Sequence, residues 1–401
     1  MAMRARLRTE PLRRSTGAAP GGSTTSSPRR ARLGWHRRFS IAALSVCLGL
    51  AGCASTSAGD SNTAGPGGTE SGSGARPDGT IGDDIADYCP AEETTVAFAK
   101  GAGDSWTKVA LATLEDEAAK CPSISDVAFT DAGGDQTKGI ADINGLVAQG
   151  TDVIISMPEF GPAQVPALRS ALQAGSVVVT QIDDAGAKIG QDISGAVLVD
   201  TAAVGEAWAA WLHATVGTGK VVFLGGIPGA ASSKQLFDGL TSALAAYPEL
   251  ELVEDHVVDT NWDAGTRQRV MAGLLAKYGR IDGVVTDYGA IDYGTLNAYA
   301  QAGMELPALA AFASSNGLAC YWAKTPFDVM SVDGQVNLIR KALRVGLAAL
   351  QGDAPSSPVL VDLTTSFDTN AGVDPTCDAN LPDDAPVGSD LSEDQLVDVF
   401  Q

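Results

Sequence analysis

From residue 94 to residue 363, short β-branched runs alternate with amphipathic stretches, a rhythm that few architectures accept. The pattern predicts strands at 94–99, 126–131, 152–156, 177–181, 197–199, 220–224, 251–258, 283–286, 308–312, 328–331 and 359–363. Helical periodicity fills the gaps at 106–120, 137–149, 161–174, 203–216, 232–246, 264–278, 293–302 and 334–351. Most strand segments are nearly continuous in apolar residues, as strands buried on both faces are. Such a chain reads as α/β, with doubly wound parallel sheets covered by helices, and ligands of that class bind beyond the carboxyl ends of the strands. The 310 residues after position 91 are generous for one such sheet and comfortable for two.

Charge is unevenly spread over the 401 residues. Residues 1–52 hold ten Lys/Arg and one acid, Glu10, so the remainder carries 17 basic against 47 acidic residues. A body that acidic repels phosphate backbones, which argues against nucleic-acid partners. Three His and six Cys without CxxC spacing offer no usual zinc site, and neither a metal nor any other cofactor is expected. No apolar run reaches the roughly 18 residues of a spanning helix, which excludes a polytopic membrane protein.

The amino terminus reads as an address. Residues 1–38 are Arg-rich and 39–52 form a short apolar stretch, the layout of an export signal. The stretch ends in Leu50-Ala51-Gly52-Cys53, which resembles the lipobox of bacterial lipoproteins. That resemblance implies a lipoprotein signal peptide at 1–52 and a diacylglyceryl group on Cys53, holding the protein on the outer face of the cytoplasmic membrane through lipid alone. Residues 53–91 are mostly Ser, Gly, Thr, Ala and Asp, too poor in large apolar side chains to offset chain entropy, and read as a flexible tether.

Four stretches of the body then stand in a familiar order. Residues 131–156 read DAGGDQTKGIADINGLVAQGTDVIIS, residues 225–240 GGIPGAASSKQLFDGL, residues 261–264 NWDA, and residues 281–303 IDGVVTDYGAIDYGTLNAYAQAG. Together they resemble the type I periplasmic-binding-protein family, in particular the sugar-binding receptors of ABC importers. The resemblance implies two doubly wound parallel-sheet lobes joined by a three-strand hinge. Crossings near 200, 332 and 356 would give lobe one as 92–200 plus 332–355 and lobe two as 201–331 plus 356–401. Under that topology Cys89 and Cys121 fall at the base of lobe one and Cys320 and Cys377 in lobe two, so the expected disulfides are Cys89–Cys121 and Cys320–Cys377.

The family holds a sugar between its lobes, stacking the ring on aromatics and fixing hydroxyls with planar polar groups. Carried over position by position, Asp104 is placed to accept a hydroxyl and Trp106 to stack, although the same pair suits a helix cap and a core residue. Asp131 ends the second strand, as a cleft group or a plain loop acid. Asp183 stands near the family's Asp-Arg pair, but Asp184 follows it and the Arg is missing. Lys234 replaces a family Arg, as a hydroxyl donor or a solvated helix lysine. Trp262 and Asp263 match an aromatic and an acid after the next strand, with partial core burial the other reading for Trp262. Asp287 and Tyr288 stand where the family has Asn-Asp, and Asn316 closes a strand end that lacks the family's Asp. Trp208 and Trp211 lie on one helix and read as packing.

The resemblance therefore implies a monomeric, lipid-anchored receptor that captures a monosaccharide or related polyol and delivers it to ABC permease subunits, binding without catalysis. A sensory receptor of the same fold is the alternative. A secreted hydrolase is disfavoured, because neither a Gly-x-Ser-x-Gly elbow nor a metal-binding His pair occurs.

Overall fold

A computed structural model describes residues 81–401 of the chain. The leader at 1–52, Cys53 and the tether up to residue 80 lie outside the described residues. The last part of the expected tether does not: residues 85–88 form a 3-10 turn whose Ile85 and Tyr88 are buried. Tyr88 accepts a hydrogen bond at its hydroxyl from the Gly82 amide (2.7 Å). Two large apolar side chains in four residues are enough to recruit this segment into the core.

The first sheet is built from β1 (Thr94–Lys100), α1 (Ser105–Ala118), β2 (Ile124–Asp131), α2 (Gln136–Gln149), β3 (Val153–Met157), α3 (Val165–Ala174), β4 (Val177–Ile182) and β5 (Gly195–Val199). The second follows with α4 (Thr201–Val216), β6 (Gly219–Gly225), α5 (Ala231–Leu244), β7 (Leu250–Leu252), β8 (Val258–Asp259), α6 (Ala264–Tyr278), β9 (Gly283–Thr286), α7 (Tyr293–Ala302), β10 (Ala308–Phe312), α8 (Asn316–Lys324) and β11 (Val329–Val332). The chain then returns through α9 (Leu338–Leu350) and β12 (Val359–Val361), adds β13 (Thr365–Asp368), and ends in α10 (Glu393–Val399).

Strand order is β12-β5-β4-β3-β1-β2 in the first sheet, every pair parallel, and β13-β11-β10-β9-β6-β7 in the second, with β8 also beside β6. Only β13 runs antiparallel, against β11. This is the doubly wound α/β class that the alternation predicts. Helix starts are marked by Asp104, Asp135, Asp200 and Asp263, each of whose side chains accepts a backbone N–H of the first turn. Trp208 and Trp211 pack in the core as expected, their indoles donating to the Ala311 carbonyl and to Asp368.

Two expected boundaries need correction. Val359–Val361 pairs with β5, so it belongs to the first sheet and the chain crosses after it rather than near 356. Nor does the remainder stay with lobe two. Arg340 of α9 is nearly buried and needs acceptors, and it takes Asp390 together with Asp116 of α1, at 2.9 and 2.7 Å. Gln395 of α10 also donates to Asp116 (3.0 Å), which brings the last helix back to lobe one. The segment between is held on lobe two, where Asn316 donates to the carbonyls of Asp378, Leu381 and Pro382. The sulfurs of Cys89 and Cys121, and of Cys320 and Cys377, stand at bonding distance, with Cα separations of 5.5 and 4.5 Å.

Candidate functional site

Loops at the carboxyl ends of both sheets line one cavity of about 60 Å³. Lobe one contributes Lys100 from the end of β1, Asp104 and Trp106 from the start of α1, Met157 closing β3 and Glu159 after it, and Ile182 closing β4. Lobe two contributes Ser232 and Leu236 from α5, Trp262 after β8, Asp287 and Tyr288 after β9, Phe312 closing β10 and Ala313 after it. The lobes approach closely at the rim: a side chain at Gly161 of lobe one would lie 3.4 Å from the Gly229 carbonyl of lobe two. A volume of this size admits a few waters.

The aromatic walls are fixed from behind. Trp106 is buried, donates its indole N–H to the Gly334 carbonyl (3.0 Å), and carries the Lys100 ammonium 5.6 Å from its ring centre. Trp262 is half-buried and lies against Gly226, where any Cβ would overlap the indole. Backbone strain gathers here as well. Ile182, Asn261, Trp262 and Ala313 all have positive φ, which for a β-branched residue such as Ile182 is a costly conformation.

Charge in the cleft is organised around two buried cations. Lys100 pairs with Glu159, whose other carboxylate oxygen accepts the Ala102 amide at 2.8 Å. Burial disfavours the Lys100 ammonium, but Glu159, Asp104 and Asp131 outweigh it and hold its pKa above the ordinary value. Arg267 of α6, fully buried, donates to Thr260, to the Tyr288 carbonyl (2.7 Å) and to Asp292 (2.8 Å). Its remaining Nη2 stands 3.5 Å from Oδ1 of Asp287, and neither atom has a hydrogen-bond partner. Oδ2 of Asp287 accepts from Ser233 and from the Trp262 indole. Burial raises the Asp287 pKa to about 6 against the pull of Arg267. Burial and the neighbouring Asp104 push the Tyr288 phenol well above its usual range.

Of the residues singled out from sequence, Asp104, Trp106, Trp262, Asp287 and Tyr288 meet in this cavity. Asp104 both caps α1, accepting from Thr107, and lines the wall, so its two readings coexist. The other five stand elsewhere. Asp131 accepts the amides of Gly103 and Gly133 and braces the loop after β1. Asp183 is wholly buried behind the wall, accepting only the Ala185 amide, and burial raises its pKa to about 8. Lys234 points into solvent and pairs with Asp238 at 2.5 Å, one helical turn away. Asp263 caps α6, and Asn316 secures the C-terminal segment. Sequence reasoning missed Lys100, Glu159 and Arg267. Lys100 ends β1 and Glu159 stands two residues beyond the end of the adjacent parallel strand β3, which is a signal that could have found them. Arg267 lies inside a helix with nothing in its sequence neighbourhood to mark it.

Comparison with known proteins follows the same geometry. The family described as "Periplasmic binding protein domain" matches residues 96–354. The ribose import binding protein RbsB of Bacillus subtilis is 29% identical over 181 residues, which is 45% of this chain and 57% of that protein. A xylitol-binding protein of Mycolicibacterium smegmatis is 26% identical over 190 residues, 47% of this chain and 53% of that one. The aligned part thus spans little more than half the length of these curated relatives. The crystal structure of the Caulobacter myo-inositol binding protein, with myo-inositol bound, superposes with a TM-score of 0.61. It shares 22% identity and covers 69% of this chain and 94% of its own.

Proposed function

Because the chain belongs to the periplasmic binding protein domain family, we propose that it is a solute receptor which closes two lobes on a monosaccharide or polyol and delivers it to an ABC importer. The observation that carries this reading is the convergence of Trp106 and Trp262, from different sheets, on one cavity that also holds Asp104 and Asp287. Indole faces suit the C–H face of a sugar, and carboxylates suit its hydroxyls. The relatives that match are named for binding, and the pocket is read as a place of capture without reaction. Asp104, Trp106, Trp262, Asp287 and Tyr288 would hold the ligand, with Lys100 and Glu159 fixing the floor.

Export and anchoring belong to the same reading. Cleavage before Cys53 and acylation of its sulfur would leave the receptor on the outer face of the cytoplasmic membrane, working as a monomer beside its permease. Radiolabelled palmitate should enter the protein and not its Cys53→Ala variant.

The binding reading is tested by thermal melts with D-ribose, xylitol, myo-inositol and their epimers. A ligand at 100 times its Kd adds about 2.7 kcal/mol of stability. Small-angle scattering with the same ligand should show the radius of gyration falling as the lobes close. A flat melting profile across the panel would defeat the proposal.

A further inference from the structure

The charges around the cavity do not balance. Among the described residues that line it, Lys100 is the one basic side chain, and it is committed to Glu159. Asp104 and Asp287 also line the wall. Behind Asp287, Arg267 is shared with Asp292, which it contacts at 2.8 Å. Two cations therefore serve four carboxylates. Lys234 of α5, the cation expected here from sequence, is turned outward to Asp238.

The imbalance is accompanied by an unmet bond. Oδ1 of Asp287, a residue 7% exposed, has no hydrogen-bond partner, and its ion-pair contact with Nη2 of Arg267 is a long one at 3.5 Å. Asp104 accepts the Thr107 amide and hydroxyl on Oδ1, and across the cleft the Tyr288 phenol hydrogen-bonds its carboxylate, so these partners are all neutral. Trp106, Trp262, Tyr288 and Phe312 complete the wall, and the negative faces of aromatic rings attract a cation as the carboxylates do.

We propose that the ligand of this cleft is a polyol or sugar that carries a protonated amine, with the ammonium received between Asp104 and Asp287. This rests on reading the cleft as a polyol site and adds a charge to its occupant. Hydroxyls of a neutral sugar can satisfy the same oxygens, but they leave the excess negative charge buried when the lobes close. A ligand ammonium neutralises it and brings two or three donors to the acceptor-only carboxylates.

The test uses matched pairs at pH 7: D-glucosamine with D-glucose, D-galactosamine with D-galactose, and 1-amino-1-deoxyxylitol with xylitol. Calorimetry on the intact protein should show the amine bound at least tenfold more tightly than its hydroxyl parent in at least one pair. Asp104→Asn keeps a good helix cap. It should cost the amine severalfold more affinity than it costs the parent, so that the preference falls severalfold or more. Parents bound as tightly as their amines, or a preference unmoved in Asp104→Asn, would overturn the inference and leave the receptor reading standing. Binding of neither member in any pair would overturn both.

Discussion

The indole N–H of Trp262 donates to Oδ2 of Asp287 across 3.1 Å, so the aromatic wall and the acid of lobe two are set by each other. Ser233 shares the same oxygen, and Arg267 stands behind. One face of the cleft is thereby a linked unit drawn from β8, β9, α5 and α6.

The two tryptophans should separate by experiment. Trp262 is half-buried, and Trp262→Ala should weaken ligand binding ten- to a hundredfold, equivalent to about 1.4–2.7 kcal/mol, with little loss of stability. Trp106 is 5% exposed and bonded to Gly334, so Trp106→Ala should lose affinity and also about 3–5 kcal/mol of stability. Calorimetry and denaturant melts on both variants check this. An unaltered affinity in either variant removes that residue from the site.

Gly226 contributes by lacking a side chain. Gly226→Ala places a Cβ inside the volume of the Trp262 indole and should push the ring out of the cleft. The affinity of this variant should fall toward that of Trp262→Ala although residue 226 does not line the cavity. Its tryptophan emission should shift to the red as the ring gains solvent. Parental affinity in the Ala variant would mean that the ring is not held by this contact.

Asp183 sets a pH dependence of unusual sign. Burial raises its carboxyl from 3.8 to about 8, so between these values the unfolded chain ionises while the folded one keeps its proton. Stability is fullest below about pH 4 as far as this group is concerned, falls as pH rises, and levels above about 8. Asp183→Asn mimics the protonated form. Its melting temperature should exceed the parent's at pH 8 and approach it at pH 5. A difference that is equal at both values would show that the carboxyl is not held neutral.

The disulfide of lobe two should matter most to the C-terminal segment. Cys320–Cys377 closes a 57-residue separation and Cys89–Cys121 a 32-residue one, each worth about 2–4 kcal/mol in the chain-entropy account. Cys320→Ser with Cys377→Ser should lower stability by that amount and expose residues 372–390 to protease first. Asn316, which holds the same segment through three carbonyls, should give a similar pattern when changed to Ala. Non-reducing peptide maps that join Cys89 to Cys377 would defeat the pairing.

Local chemistry determined much of this protein without the fold. Continuous apolar strands such as 308–312 can be satisfied only between helical layers, so the α/β class was legible, and so was the aspartate cap that opens α1. Asp104, Trp106 and Trp262 were legible through the family resemblance, which puts such groups after strand ends, where this architecture keeps its ligands. Tertiary structure alone decided the rest. Whether Lys234 faces the cleft or Asp238 depends on helix rotation, and the i,i+4 acid won. Whether 359–361 closes the first sheet or begins the second lobe depends on which edge offers unpaired N–H and C=O groups, and β5 did. Arg267 is silent in sequence because its meaning lies in Asp287 and Asp292, twenty and twenty-five residues away, brought together only when β9 settles beside β6. Periodicity encodes which side of an element is buried; the partners that meet there are fixed by the packing of elements distant in the chain.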